Sequence, residues 1–195
     1  MEKKKISTQS LVIMAMFAAV LAVSAYLSIP LPFPGAPHIT MQNFMIILIA
    51  LLFPIEQSVM IVAVWMLLGI CGVPVFIGGK AGLAYLLQPW GGYTIVYILT
   101  AALIPLIKGK SYNRIRYTLS AVFGAIFIDI IGMLYLHFYP GSGYENWTLA
   151  ITAGFLAFIP LDMCKCVVAA QIVPAFTRVM KMNDNIRESK SQTVN

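Results

Sequence analysis

Charge is what this sequence lacks most. Of its 195 residues, 13 are Lys or Arg and 7 are Asp or Glu, so only 10% of the chain is charged. Soluble domains carry about 25%, and a water-facing surface for a chain of this size needs more. Histidine is limited to 2 residues and cysteine to 3. His38 and His137 are isolated in sequence, so neither a zinc-type spacing nor a nucleophile–base pair is in sight. Cys71, Cys164 and Cys166 lie in or beside apolar stretches and read as packed thiols. The run Gly78-Gly79-Lys80-Ala81-Gly82 has no preceding strand and no Gly-Lys-Ser/Thr ending, so it is not a phosphate-binding loop. With no ATP-binding motif, any active transport must draw its energy from a partner. The chain reads as a non-enzyme with no metal or cofactor, and its composition excludes a disordered chain and a nucleic-acid module.

Apolar residues fill the space that charge leaves. They make up 60% of the chain, and the mean hydropathy is +0.86. They lie in long blocks rather than in a helical or strand alternation, so most segments are apolar all round. This predicts an integral membrane protein. At roughly 20 residues per spanning helix, about six helices and short connections use the whole length.

The predicted spans are about 7–27, 41–53, 57–71, 89–107, 117–139 and 160–180. Ser28 to Thr40 carries four prolines in 13 residues and reads as a stiff extended loop. Gly72 to Gln88 is glycine-rich and breaks the pattern. Residues 147–158 are apolar but only twelve long and precede Pro160, which suits the first turn of a helix. They are predicted to form a short helix at the surface. The expected fold is therefore an all-α, integral membrane six-helix bundle, with residues 1–182 as one transmembrane substrate-binding domain and 183–195 as a polar cytoplasmic tail.

Basic residues orient this bundle. Eleven of the thirteen fall on one side: Lys3, Lys4, Lys5, Lys108, Lys110, Arg114, Arg116, Arg178, Lys181, Arg187 and Lys190. Positive charge accumulates on the cytoplasmic side, so both termini are expected there. A seventh span would put the basic C-terminus outside.

Ionisable groups inside a span cost about 2.5–3.5 kcal/mol each on insertion scales and are functional candidates by default. There are three: Asp129, Asp162 and Lys165. Asp162 and Lys165 stand three apart on one helix, share a face and can pair. They fall in the first turns after Pro160, where free amides favour a bound or nearby anion. The alternative is an ion pair that only neutralises itself. Asp129 sits mid-span, either bonded to a neighbouring helix or facing a polar cavity. Lys80, the lone basic residue of the outer loops, is a candidate anion partner, with Gly78 and Gly79 offering close backbone approach. Phe76, Tyr85, Trp90 and Tyr93 crowd the same region. In the first span Ala15 with Ala19, and Ala18 with Ala22, form small-xxx-small ridges that let another helix come close.

Taken in order, Pro37-His38-Ile39-Thr40-Met41-Gln42-Asn43-Phe44, Gly72-Val73-Pro74-Val75-Phe76-Ile77-Gly78-Gly79 with Gly82 and Leu83, Pro89 with Gly91-Gly92-Tyr93, and Phe158-Ile159-Pro160 with Asp162 and Lys165 resemble the BioY family. Its members are the biotin-binding S components of energy-coupling factor (ECF) transporters. The resemblance implies a six-helix vitamin-binding subunit of the plasma membrane, opening outward. Its implied partners are membrane lipid, a transmembrane coupling protein and two ABC-type ATPases. It also implies docking through the small residues of the first helix, here Ala15, Ala18, Ala19 and Ala22. The substrate-binding residues implied by it or by the reading above are Asp162, Lys165, Lys80, Gly78, Gly79, Tyr85, Phe76, Gln42 and Gly92. Four features depart from the family pattern: Ala81 in Gly78-Gly79-Lys80-Ala81-Gly82, Gln88 and Trp90 in Gln88-Pro89-Trp90-Gly91-Gly92-Tyr93, Leu161 before Asp162, and the added carboxyl of Asp129. All four fall near the expected pocket, which leaves biotin or a related carboxylate such as dethiobiotin or lipoate as the ligand. A membrane-embedded enzyme acting on lipid is a distant alternative, since clustered acids with Mg²⁺-binding spacing are missing.

Overall fold

The computed structural model of the chain describes residues 8–30 and 38–192. The protein is mostly helical. Its elements are α1 (Thr8–Ser24), β1 (Ser28–Pro30), β2 (His38–Thr40), α2 (Gln42–Leu52), α3 (Ile55–Ile70), α4 (Leu83–Leu86), α5 (Gly91–Ile107), α6 (Arg114–Phe138), α7 (Trp147–Ile151) and α8 (Ile159–Gln192). The run Arg114–Phe138 and the nearly continuous run Trp147–Val179 are long and apolar enough to cross a bilayer.

The proline-rich segment is more ordered at its ends than an extended loop. β1 and β2 pair antiparallel, with Ser28 opposite Thr40, Ile29 opposite Ile39 and Pro30 opposite His38. Proline biases its predecessor toward extended backbone, and β-branched Ile29 and Ile39 suit a ladder. The helix-only expectation thus gains one short ribbon. Residues 31–37 lie outside the described residues.

Helix α2 is short because both ends are fixed. It starts at the end of β2 and stops at Phe53, whose extended backbone leads into Pro54. Almost every residue of α2 is buried, and it touches α1, α3, α5, α6 and α8. A helix apolar on all sides belongs at the centre of a bundle. Its last carbonyls are not left open. The buried Lys108 donates to the carbonyl oxygens of Ala50, Leu51 and Phe53 at 2.9, 2.8 and 2.6 Å. This basic residue, read from sequence as part of a polar turn, closes the far end of the central helix.

Helices α5 and α6 pack through glycine. A Cβ on Gly132 would fall 2.2 Å from the Tyr93 ring, and one on Gly92 would fall 2.4 Å from Tyr135. Helix α6 begins three residues earlier than the expected span, because Asn113 caps it: its Oδ1 accepts from the amides of Ile115 and Arg116 at 3.0 and 3.1 Å. The segment 147–158 is α7 followed by a π turn over Thr152–Leu156. Ala150, Ala153 and Gly154 face inward, while Trp147, Leu149, Ile151 and Leu156 are exposed. Helix α8 then starts one residue before Pro160 and continues to Gln192, through most of the segment expected to be a tail.

Candidate functional site

The start of α8 carries the site. Asp162 lies in its first turn and Lys165 one turn on, and their side chains meet at 2.9 Å. The Lys165 ammonium uses all of its three donors: to Asp162 Oδ1, to the Thr40 carbonyl at 2.8 Å and to Asn43 Oδ1 at 3.1 Å. Asn43 Nδ2 in turn donates to Asp162 Oδ2 at 2.6 Å. Both carboxylate oxygens are therefore bonded. Burying two charges is tolerable only when such additional bonds complete the pair. The Asp162 carboxylate is fully buried, and the Lys165 side chain retains 13% exposure.

This network forms a wall between two spaces. On the inner side a cavity of about 30 Å³ lies among His38, Thr40, Asn43, Ile77, Trp90, Tyr93, Tyr97, Ile128, Asp129, Phe158 and Asp162. On the outer side a groove of about 700 Å³ runs between the β ribbon and α8. Its lining is mainly apolar, including Tyr26, Leu27, Ile29, Ile39, Phe44, Leu161 and Val168, with Lys165 at its edge. The inner space holds water-sized occupants; pockets for small organic ligands usually measure about 300–1,000 Å³. The conformation is closed around its charged residues.

Among the residues singled out from sequence, the inner cavity brings together Asp129, Asp162, Trp90 and Tyr93, and the network adds Lys165. The remaining candidates lie elsewhere. Phe76 is wholly buried between Trp65 and Tyr85, with ring centroids 5.4 and 4.9 Å away, over Gly69. The Lys80 ammonium stands 5.9 Å from the centre of the Tyr85 ring and is exposed, a cation–π geometry. Gly78 and Gly79 both adopt positive φ, with Gly79 close beneath Tyr26. Gln42 ties α2 to the same loop by donating to the Val75 carbonyl at 2.9 Å. Gly92 packs on Tyr135. These side chains shape the loop and helices around the cavity but do not line it. Ala18 is buried and Ala22 partly so, whereas Ala15 and Ala19 are exposed on α1.

The residue that sequence reading passed over is Asn43, neighbour of the chosen Gln42. Nothing local separates the two. Both are polar, both open a buried helix, and only the approach of α8 decides which one meets Asp162.

The family model described as BioY matches residues 1–182. The chain belongs to the BioY family. It is 36% identical over 156 residues to a protein of Thermotoga maritima named biotin transporter BioY, a match that covers 80% of this chain and 88% of that one. A Lactococcus lactis protein named biotin transporter BioY2 is 28% identical over 172 residues, covering 88% and 91%. The fold superposes with a TM-score of 0.80 on the crystal structure of the S-component for biotin from an ECF-type ABC transporter, at 27% identity, covering 91% of this chain and 95% of that one. As a BioY member the chain is a membrane transport protein and not an enzyme.

Proposed function

We propose that this chain is the substrate-capture subunit of an ECF-type transporter, taking biotin from outside for ATP-driven uptake by partner subunits. It would sit in the plasma membrane as a six-span bundle with both termini in the cytoplasm. A transmembrane coupling protein and two ABC-type ATPases would supply the energy that the chain has no motif to use. The observation that carries this reading is the completed Asp162–Lys165–Asn43 network beside a cavity at the start of α8, in a chain whose relatives are named biotin transporters.

The polar head of the ligand would enter the inner cavity and exchange bonds with Asp162 and Asn43. Lys165 lines the outer groove and would meet the tail carboxylate there, while Lys80 stands on the loop beside Tyr85. The cavity is smaller than a bicyclic ligand, so capture includes its widening. Preorganised polar groups in an apolar surround give affinity because few are left unpaired once the ligand is bound.

A second reading keeps the scaffold and changes the solute to dethiobiotin or lipoate. It is favoured by Trp90, a departure from the family pattern that lines the cavity. Calorimetry of the purified protein against biotin, dethiobiotin, lipoate and thiamine separates these readings. Biotin is expected to bind most tightly; tighter binding of lipoate would transfer the assignment, and no heat with any of the four would remove it.

A further inference from the structure

We infer that Asp129 is a ligand-contacting carboxyl that accepts an N–H from the head of the captured molecule, making the site select a cyclic urea over carboxylate-tailed molecules whose head has no N–H. This deepens the capture reading above and rests on it.

Several polar groups around the inner cavity already have partners. Asp162 has both oxygens bonded, and Lys165 has all three donors in use. The Asn43 amide gives one N–H to Asp162 and its oxygen to Lys165. The Tyr93 hydroxyl donates to the Gly154 carbonyl. Asp129 lines the same cavity, is 2% exposed, and its Oδ2 has no hydrogen-bond partner among the described residues. Its own helix can supply none: one turn away on either side stand Ala125, Ile126, Gly132 and Met133. A buried carboxyl oxygen without a partner is unfavourable, and it persists here on a face that opens into the cavity rather than into packed side chains.

What completes such a group is a donor from the cavity. The open acceptor facing the cavity, Asp129 Oδ2 on α6, suits a head that presents an N–H. A cyclic urea does this and remains neutral. Disulfide-ring heads do not. Sites built to bond a substrate N–H reject analogues without it, because the site's own polar atom is then left unpaired.

The test uses the full-length protein in detergent, wild type and Asp129→Leu, titrated by calorimetry with biotin and with the two derivatives methylated at one or the other ureido nitrogen. Wild type is expected to prefer biotin over at least one methylated isomer by about tenfold, the scale of one hydrogen bond. In Asp129→Leu the biotin affinity should fall about tenfold and that preference shrink to within about twofold. The ligand-free unfolding midpoint should hold or rise, since an unpartnered buried polar group has been removed. Loss of affinity with the preference intact, or affinity within twofold of wild type, overturns the assignment while leaving biotin capture standing. A lowered midpoint with intact preference overturns it too and makes Asp129 a packing residue. Wild-type protein that gives no heat with biotin overturns the capture reading and this inference together.

Discussion

Asn43, on the first turn of the central helix, holds Asp162, on the first turn of the last helix, by a 2.6 Å bond from Nδ2 to Oδ2. The residues are 119 positions apart. The same amide presents its oxygen to Lys165 and to the backbone N–H of Phe44. One side chain therefore fixes both members of the ion pair. Asn43→Leu leaves a carboxylate oxygen and an ammonium proton without partners, at about 1.5–3 kcal/mol for bonds to charged groups. Biotin affinity should fall at least tenfold and the unfolding midpoint should drop. Unchanged calorimetric affinity would remove Asn43 from the site.

The ion pair itself should behave non-additively. Asp162→Asn strands a buried ammonium and Lys165→Met strands a buried carboxylate, each costing about 3 kcal/mol of stability. Together the substitutions leave two neutral groups, so the double variant should be less destabilised than the sum of the singles. Each single should also cut biotin affinity at least tenfold. Equal stability losses that simply add would mean the two groups stabilise the fold independently, whatever their separation.

The parts of this protein legible in sequence are those decided within a few residues. Pro160 marks a helix start because proline acts on its own turn, and α8 begins one residue before it; the Asn113 cap, equally local, reads from sequence only as part of a basic turn. The Asp162–Lys165 pair was legible for the same reason, being one turn apart on a single helix. Asn43 was not, because its role is set by a partner helix far along the chain. Phe76 and Tyr85 show the converse failure. Aromatic crowding beside glycines signals a pocket and a packed anchor equally well, and here the two rings stack at 4.9 Å in the core. Lys108 was hidden by the same ambiguity: a lysine in a basic turn gives no sign that its ammonium reaches back to another helix.

That reach can be tested at the other end of α2. Lys108 is 7% exposed and saturates the carbonyls of Ala50, Leu51 and Phe53. Lys108→Met keeps the aliphatic stem and removes every donor, leaving three helix-end acceptors open. Stability should fall by about 2 kcal/mol or more, read as a lower unfolding midpoint in detergent. Biotin affinity should change less than threefold, because Asn43 and Lys108 lie at opposite ends of the helix. A large affinity loss with an unmoved midpoint would contradict a capping role.

The glycines between α5 and α6 differ in what they can tolerate. A methyl on Gly132 meets the Tyr93 ring at 2.2 to 2.5 Å, and Tyr93 lines the cavity. A methyl on Gly124 meets the end of the Ile104 side chain at 2.4 Å, a group that can rotate aside. Gly132→Ala should therefore displace Tyr93 and lower both biotin affinity and the unfolding midpoint. Gly124→Ala should cost about 1–3 kcal/mol of stability, as overpacking does, and leave affinity nearly unchanged. Equal effects on binding would mean that Tyr93 does not shape the cavity.

If α1 is the docking face, variants on it should separate binding from uptake. Ala15 and Ala19 are exposed on it, whereas Ala18 is buried, so the two ridges read from sequence face different ways. Small exposed residues let a partner helix approach. Ala19→Trp adds bulk on that outer face and touches nothing near Asp162. It should preserve biotin affinity while ATP-dependent uptake by cells carrying the partner subunits falls at least tenfold. Ala18→Trp instead overfills the core and should lower the unfolding midpoint with or without partners. Uptake that survives Ala19→Trp would move the docking face off this side of α1.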